Sequence, residues 1–280
     1  MSITGGIKFF NKNKIDDGSI VASSGTSSGK FILDLDVDTY WTSLGSSDGV
    51  SETITITTSK SQAIDRILLL DHNFKTYNIK YYDGSSYVDF ASVIKIGGGT
   101  LTTINETSYD QDSSYYEFTE VSTTSIKITV SHTQVPNQEK YLNQSIASSE
   151  LGTFVGYPEI NSITMDRNSR VKKTLGGRFS VQKGNKTFGF DVRFKNYPTS
   201  DVYNVDIDLA LTLFETEDPF IVYACGGRYE SQHFKKAIPG FRLKDAFLVQ
   251  INKAYKLKYL KNIYVNPVDL GGLQLVSSIG

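Results

Sequence analysis

The sequence is poor in the groups that staple small folds or carry most catalysis. A single cysteine, Cys225, stands among 280 residues, so no internal disulfide can close. The three histidines, His72, His132 and His233, lack the short spacing of a metal-binding pair. No charge sign dominates: 29 Lys and Arg face 30 Asp and Glu, for a formal net charge of -1. That balance excludes a wholly basic nucleic-acid binder and a disordered polyanion. No apolar run approaches the roughly 20 residues of a membrane span, and the opening MSITGGIKFFNKNK has no signal-peptide core. The expected setting is a reducing cytoplasm, with no membrane. Nucleophile-elbow, Walker-type and dinucleotide fingerprints are missing, and Gly97-Gly98-Gly99 does not open a helix after a strand. The chain is therefore expected not to be an enzyme.

What is present is enough to build cores. Hydrophobic residues make up 39% of the chain, with 17 Tyr and 16 Phe, which argues against intrinsic disorder. The length suits one or two domains. Residues 1–150 carry 11 Lys and Arg against 18 Asp and Glu, a balance of -7, whereas residues 151–280 carry 18 against 12, a balance of +6. Of 56 Ser and Thr, 42 fall in the first 150 residues. Two compositions read as two domains, 1–156 and 157–280.

The first segment reads as strands and turns. In Ser51–Thr58, Ile54 and Ile56 alternate with Thr, the period of a strand with one buried face. Ala63–Leu70, Thr76–Tyr82, Tyr87–Ile96 and Ser125–Val130 supply further strands, and Asp83-Gly84 is a hairpin-turn dipeptide. Short strands without a long helix predict an antiparallel sandwich. The lone Trp41, inside TYWTS, is expected in the core. In the adjacent pairs Tyr81/Tyr82 and Tyr115/Tyr116, alternation places one ring on either face, so Tyr82 and Tyr115 are the expected outward, ligand-contacting rings.

The ordered strings IVASSG (Ile20–Gly25), LDLDVDTYWTS (Leu33–Ser43), the strands over 54–70 and FKTYNIKYYDG (Phe74–Gly84) resemble the landmarks of discoidin domains. These are the coagulation factor V/VIII type C modules, jelly-roll sandwiches of the galactose-binding-like class. The likeness runs from about residue 7 to about residue 155. Leu35 stands where that family usually has Gly, and Tyr87 where a Trp is common. The resemblance implies a structural calcium ion held by Asp36, Thr39 and, from the last strand, Glu150. Calcium wants six to eight oxygens, which a loop closed by a distant Glu could supply. The alternative is a solvated acidic turn with Trp41 packed beneath it. No other cofactor is expected.

In the second segment, Arg170–Gln182 and Thr187–Phe194 are expected to form a hairpin around Lys183-Gly184-Asn185. Residues 201–215 fit either a strand or, preferably, a short helix capped near Pro198-Thr199-Ser200-Asp201. The fold class is thus mainly β: a jelly roll followed by a β-rich α+β domain with one short helix. The strings Asp218-Pro219-Phe220 and Ala224-Cys225-Gly226-Gly227 resemble structural proteins of contractile phage tails. Lys172, Lys173, Arg178, Lys256 and Lys258 form basic clusters. They suit an interface with an acidic neighbour better than a nucleic acid.

These resemblances imply a noncatalytic component of a phage tail or tail-like particle, assembled in the host cytoplasm as a homo-oligomeric ring. The first domain would bind other virion proteins or a glycan. The alternative is a carbohydrate-binding module.

Overall fold

The computed structural model describes residues 6–10, 12–34, 36, 39–45, 48–95 and 99–155 and, between 159 and 275, the strands named below. The described residues are antiparallel β almost throughout, with one 3-10 segment at Thr26–Ile32, as the alternation and turn chemistry require. The chain divides into two compact units: Asn13–Glu150, and Met1–Lys12 together with Leu151–Gly280. The opening strand β1 (Gly6–Phe10) thus belongs with the later residues.

The unit 13–150 contains β2 (Ser19–Ala22), β3 (Trp41–Thr42), β4 (Glu52–His72), β5 (Phe74–Tyr82), β6 (Tyr87–Asp89), β7 (Val93–Lys95), β8 (Gly99–Leu101), β9 (Asn105–Glu106), β10 (Ser114–Thr133) and β11 (Tyr141–Ser148). Where the sequence suggests two strands over 51–70, the backbone makes one of 21 residues, and its partner β10 has 20. Register slips between Glu117 and Val121 and between Thr123 and Ser125 divide this long ladder in two. Residues 52–57 of β4 pair with 125–130 and carry β2 on their other edge. Residues 66–69 pair with 114–117 and carry β11. Extra residues in one strand bend it locally, so β4 and β10 each serve both leaves of a sandwich. One leaf adds β5, β6 and β9; the other adds β3, β7 and β8.

A single core joins the leaves. Ile54, Ile56, Tyr77, Ile79, Ile126 and Ile128 from the first meet Ile67, Leu69, Val93, Tyr116, Phe118 and Leu142 from the second. Each such side chain contributes about 1.5–3 kcal/mol by leaving water. Trp41 is fully buried, as expected.

The IVASSG string is explained residue by residue. Ala22 pairs with Ile54 across β2 and β4. Ser23 donates its N–H to Thr53 O at 2.8 Å and its hydroxyl to Glu52 Oε2 at 2.5 Å. Ser24 O accepts the Trp41 Nε1–H at 3.0 Å. Gly25 has φ 60°, and a Cβ built there would lie 1.8 Å from Thr42 O. Both its backbone conformation and its surroundings therefore exclude any side chain.

The other unit holds β1 with β12 (Glu150–Val155), β13 (Glu159–Arg167), β14 (Arg170–Lys173), β15 (Phe179–Gln182), β16 (Lys186–Pro198), β17 (Phe220–Tyr223), β18 (Ala246–Ile251), β19 (Lys256–Leu257) and β20 (Val265–Leu275). Its main sheet runs β12-β1-β17-β18-β20-β16-β13, with β19 also on β20. The expected hairpin is corrected here. β14 folds back on β15 within 170–182, and β16 pairs instead with β13 and β20. The alternation of 188–194 marks a strand with one apolar face and does not say which strands lie beside it. The helix or strand expected at 201–215 lies outside the described residues.

Candidate ligand surface and metal loop

Tyr82 closes β5 and stands opposite Tyr87 of β6. The connection is built by Asp83, whose Oδ1 accepts the N–H of Ser85 and of Ser86, both at 2.8 Å, and the Ser85 hydroxyl at 2.9 Å. Gly84 takes φ 104°, which the turn needs. The Ser86 and Ser85 donors hold the Asp83 carboxyl below its ordinary range. The turn sets the two half-buried rings 5.6 Å apart. Tyr82 donates its hydroxyl to Gly84 O at 2.9 Å, while the Tyr87 hydroxyl is 2.9 Å from Ser125 Oγ. Lys127 Nζ lies 5.4 Å from the centre of the Tyr87 ring, and Lys80 and Asp89 form an exposed ion pair at 3.5 Å. Aromatic faces, hydroxyls and both charge signs are thus gathered on one hairpin. Tyr82 and Tyr87 are both half-buried on this hairpin; the sequence marked Tyr87 only as standing where a Trp is common, and the pairing across the turn is what joins it to Tyr82.

Tyr115 is not placed as expected, since both rings of the second pair are buried. Tyr115 accepts the Arg66 Nε–H at 2.9 Å and donates to Glu117 Oε1 at 3.0 Å. Arg66, itself buried, also meets Asp65 at 2.6 Å and pairs with Glu150. Burial alone would lower the Arg66 pKa, but Tyr115, Asp65, Glu117 and Glu150 outweigh it and hold the guanidinium above its usual value.

Tyr116 points into the core and belongs to a directional chain of hydrogen bonds. The Phe74 N–H donates to His72 Nδ1 at 3.1 Å, so His72 carries its proton on Nε2, 3.2 Å from Ser114 Oγ. Ser114 bonds Tyr77, the Tyr77 and Tyr116 hydroxyls are 2.5 Å apart, and Tyr116 donates to Glu106 Oε1 at 3.0 Å. Lys95 closes the series on Glu106 at 2.8 Å. Burial pushes His72 down to about 3, so it stays neutral in the fold, and raises Tyr77 and Tyr116.

The loop between Thr26–Ile32 and β3 holds two of the three expected metal ligands, Asp36 and Thr39. Asp36 and Thr39 are brought together, with Thr39 donating its hydroxyl to Asp36 O at 3.0 Å and to Asp34 Oδ2 at 2.9 Å. Glu150 is not brought to them. It is engaged by Arg66, six residues beyond Gln144, on the order of 20 Å at the rise of a strand. The residue that reaches the loop is Gln144 of β11, 1% exposed. Its Nε2 donates to Asp34 Oδ1 at 3.0 Å, Asp36 O at 3.1 Å and Phe31 O at 3.2 Å. Asn143 Nδ2 donates to Thr39 O at 2.6 Å and Asp36 O at 3.1 Å. The oxygens that would serve a calcium ion face amide N–H groups, and Asp34 is the one carboxylate among them. In this arrangement the residues present do not fit the ion. The signal for Asn143 and Gln144 was in the sequence: two amides and a serine inside a strand demand buried partners.

Of the basic residues expected at an interface, Lys172 and Lys173 lie on β14 and Lys256 on β19, in separate ladders. Arg178 and Lys258 lie outside the described residues.

No family model and no curated protein matches the sequence. Among solved structures the chain is similar to a mutant of chitosan-binding module 1 from a chitosanase/glucanase of Paenibacillus sp. IK-5, at 17% identity and TM-score 0.39, over 49% of this chain and 99% of that one. It is similar to a Clostridium perfringens module in complex with GalNAc-β-1,3-galactose, at 14% identity and TM-score 0.38, over 49% and 99%. A putative α-L-fucosidase from Bacteroides thetaiotaomicron aligns at 12% identity and TM-score 0.40, over 51% of this chain and 30% of its own. Carbohydrate-binding modules therefore stand among the structural neighbours of half the chain.

Proposed function

We propose that residues 13–150 form a noncatalytic recognition module whose ligand is a saccharide, bound at the Tyr82–Tyr87 hairpin. The observation that carries this reading is the half-buried pair of rings flanked by Lys80, Asp89 and Lys127. A sugar ring presents C–H faces that rest on aromatic rings and hydroxyls that bond charged and carbonyl groups. The hairpin offers both on a turn fixed by Asp83.

The wider setting, a ring-forming phage tail protein with virion partners, rests on the second-segment strings. Most of those residues lie outside the described ones, and saccharide binding by the first unit does not require that setting. A glycan array probed with the full chain, followed by calorimetry on the hits, tests the module. Tyr82→Ala and Tyr87→Ala are expected to lose binding while keeping a native circular dichroism spectrum. Failure of the unaltered protein to bind any saccharide class would remove the reading.

A further inference from the structure

We infer that the side-chain amide of Gln144 takes the place of a cation in the 31–39 loop, so that this loop is ordered without metal. Three oxygens from three residues, Phe31 O, Asp34 Oδ1 and Asp36 O, lie between 3.0 and 3.2 Å from one nitrogen. Such convergence is repulsive unless something positive or proton-donating stands at the centre. The Gln144 amide supplies two N–H donors there, shared among the three acceptors.

The amide orientation follows from the same contacts. Turning it over would set Oε1 against three acceptors with no proton between them. Asn143 does the same beside it, with its two donors on Asp36 O and Thr39 O. Thr39 completes the loop from within, through Asp34 and Asp36, and the Asp36 N–H bonds Asp34 Oδ1 at 2.9 Å.

Charge points the same way. A divalent ion is held by several anionic oxygens, and affinity rises with their number. Among the described residues, the oxygens against the Gln144 nitrogen are two carbonyls and one carboxylate oxygen, Asp34 Oδ1, for which neutral donors suffice. Both amides are almost fully buried on β11, which pairs with β4 and β3. The brace is therefore as rigid as the sheet that carries it. A metal ion and the Gln144 N–H groups cannot share the same three oxygens, so the two arrangements exclude each other.

The test is thermal unfolding and calorimetry of the full chain in millimolar calcium chloride and in EDTA. The unaltered protein is expected to melt at the same temperature in both. Gln144→Glu puts a carboxylate against Asp34 and two carbonyls. It is expected to melt lower in EDTA and to recover in calcium, because the change supplies the missing anionic ligand. Gln144→Met, which keeps the length and removes the donors, is expected to melt lower in both solutions. Calcium stabilisation of the unaltered protein that Asp34→Asn abolishes overturns the proposal, as does a Gln144→Glu variant that melts like the parent in EDTA. Calcium stabilisation that Asp36→Asn abolishes overturns it as well, and a response that survives both Asp34→Asn and Asp36→Asn arises elsewhere in the chain and agrees with it. If Gln144→Glu does not fold, the unaltered protein and its Asp34→Asn and Asp36→Asn variants decide the matter alone.

Discussion

The two adjacent-tyrosine pairs, Tyr81-Tyr82 and Tyr115-Tyr116, have the same local sequence pattern and opposite fates. Tyr82 ends a strand, and what lies across from it is a three-residue strand and a turn, so its ring is only half-buried. Tyr115 and Tyr116 open β10 between β4 and β7. One ring is taken up by Arg66 and its carboxylates and the other by the core. Alternation tells which side of a strand a residue faces. What that side meets is decided by strands up to fifty residues away in sequence.

If this contrast holds, changes at the second pair should act on stability and changes at the first on binding. The largest effect is expected at Arg66→Met, which leaves Asp65, Glu117 and Glu150 without their shared cation. Breaking a buried pair this way costs about 3–5 kcal/mol, measurable by urea unfolding. Tyr116→Phe interrupts the hydrogen-bond chain between Tyr77 and Glu106 and should cost about 1–3 kcal/mol. A loss no larger than at an exposed site would break the comparison.

His72 extends the same chain into a pH dependence. Its folded pKa of about 3 lies below the ordinary 6.5. Its contribution is therefore complete above about pH 6.5 and is lost as pH falls toward 3, by up to about 1.4 kcal/mol per pH unit. Unfolding free energies measured across this window should show the slope, and His72→Gln should flatten it. The smallest effect is expected at Tyr82→Phe, which removes one exposed bond to Gly84 O and should change stability by less than about 0.5 kcal/mol. Equal losses at Tyr82 and Tyr116 would show that position on the hairpin does not matter.

What was legible in the sequence was local. Ile54 and Ile56, and Ile126 and Ile128, declared their buried faces by period, Asp83-Gly84 declared its turn, and Trp41 its place in the core. Fusion of 51–58 and 63–70 into one strand was hidden, because the residues 59–61 at their junction are polar and exposed and read as a loop. The discoidin resemblance assigns Glu150 to the metal loop. Its actual partner, Arg66, is set by the register of β4 against β11. Register is a property of two segments at once, and neither segment displays it alone.

The membership of β1 in the later unit has a consequence for synthesis. Lys8 pairs with Tyr223 and Phe9 with Val222, so 215 residues separate the first of these from its partner. By the time residue 150 has left the ribosome, every strand between 19 and 148 has all its partners within reach. At about 5–20 residues per second, the strand Gly6–Phe10 waits about 7–30 s for β12 and about 10–40 s for β17. The strand Gly6–Phe10 is therefore kept open until the whole sandwich that follows it in the chain has been made.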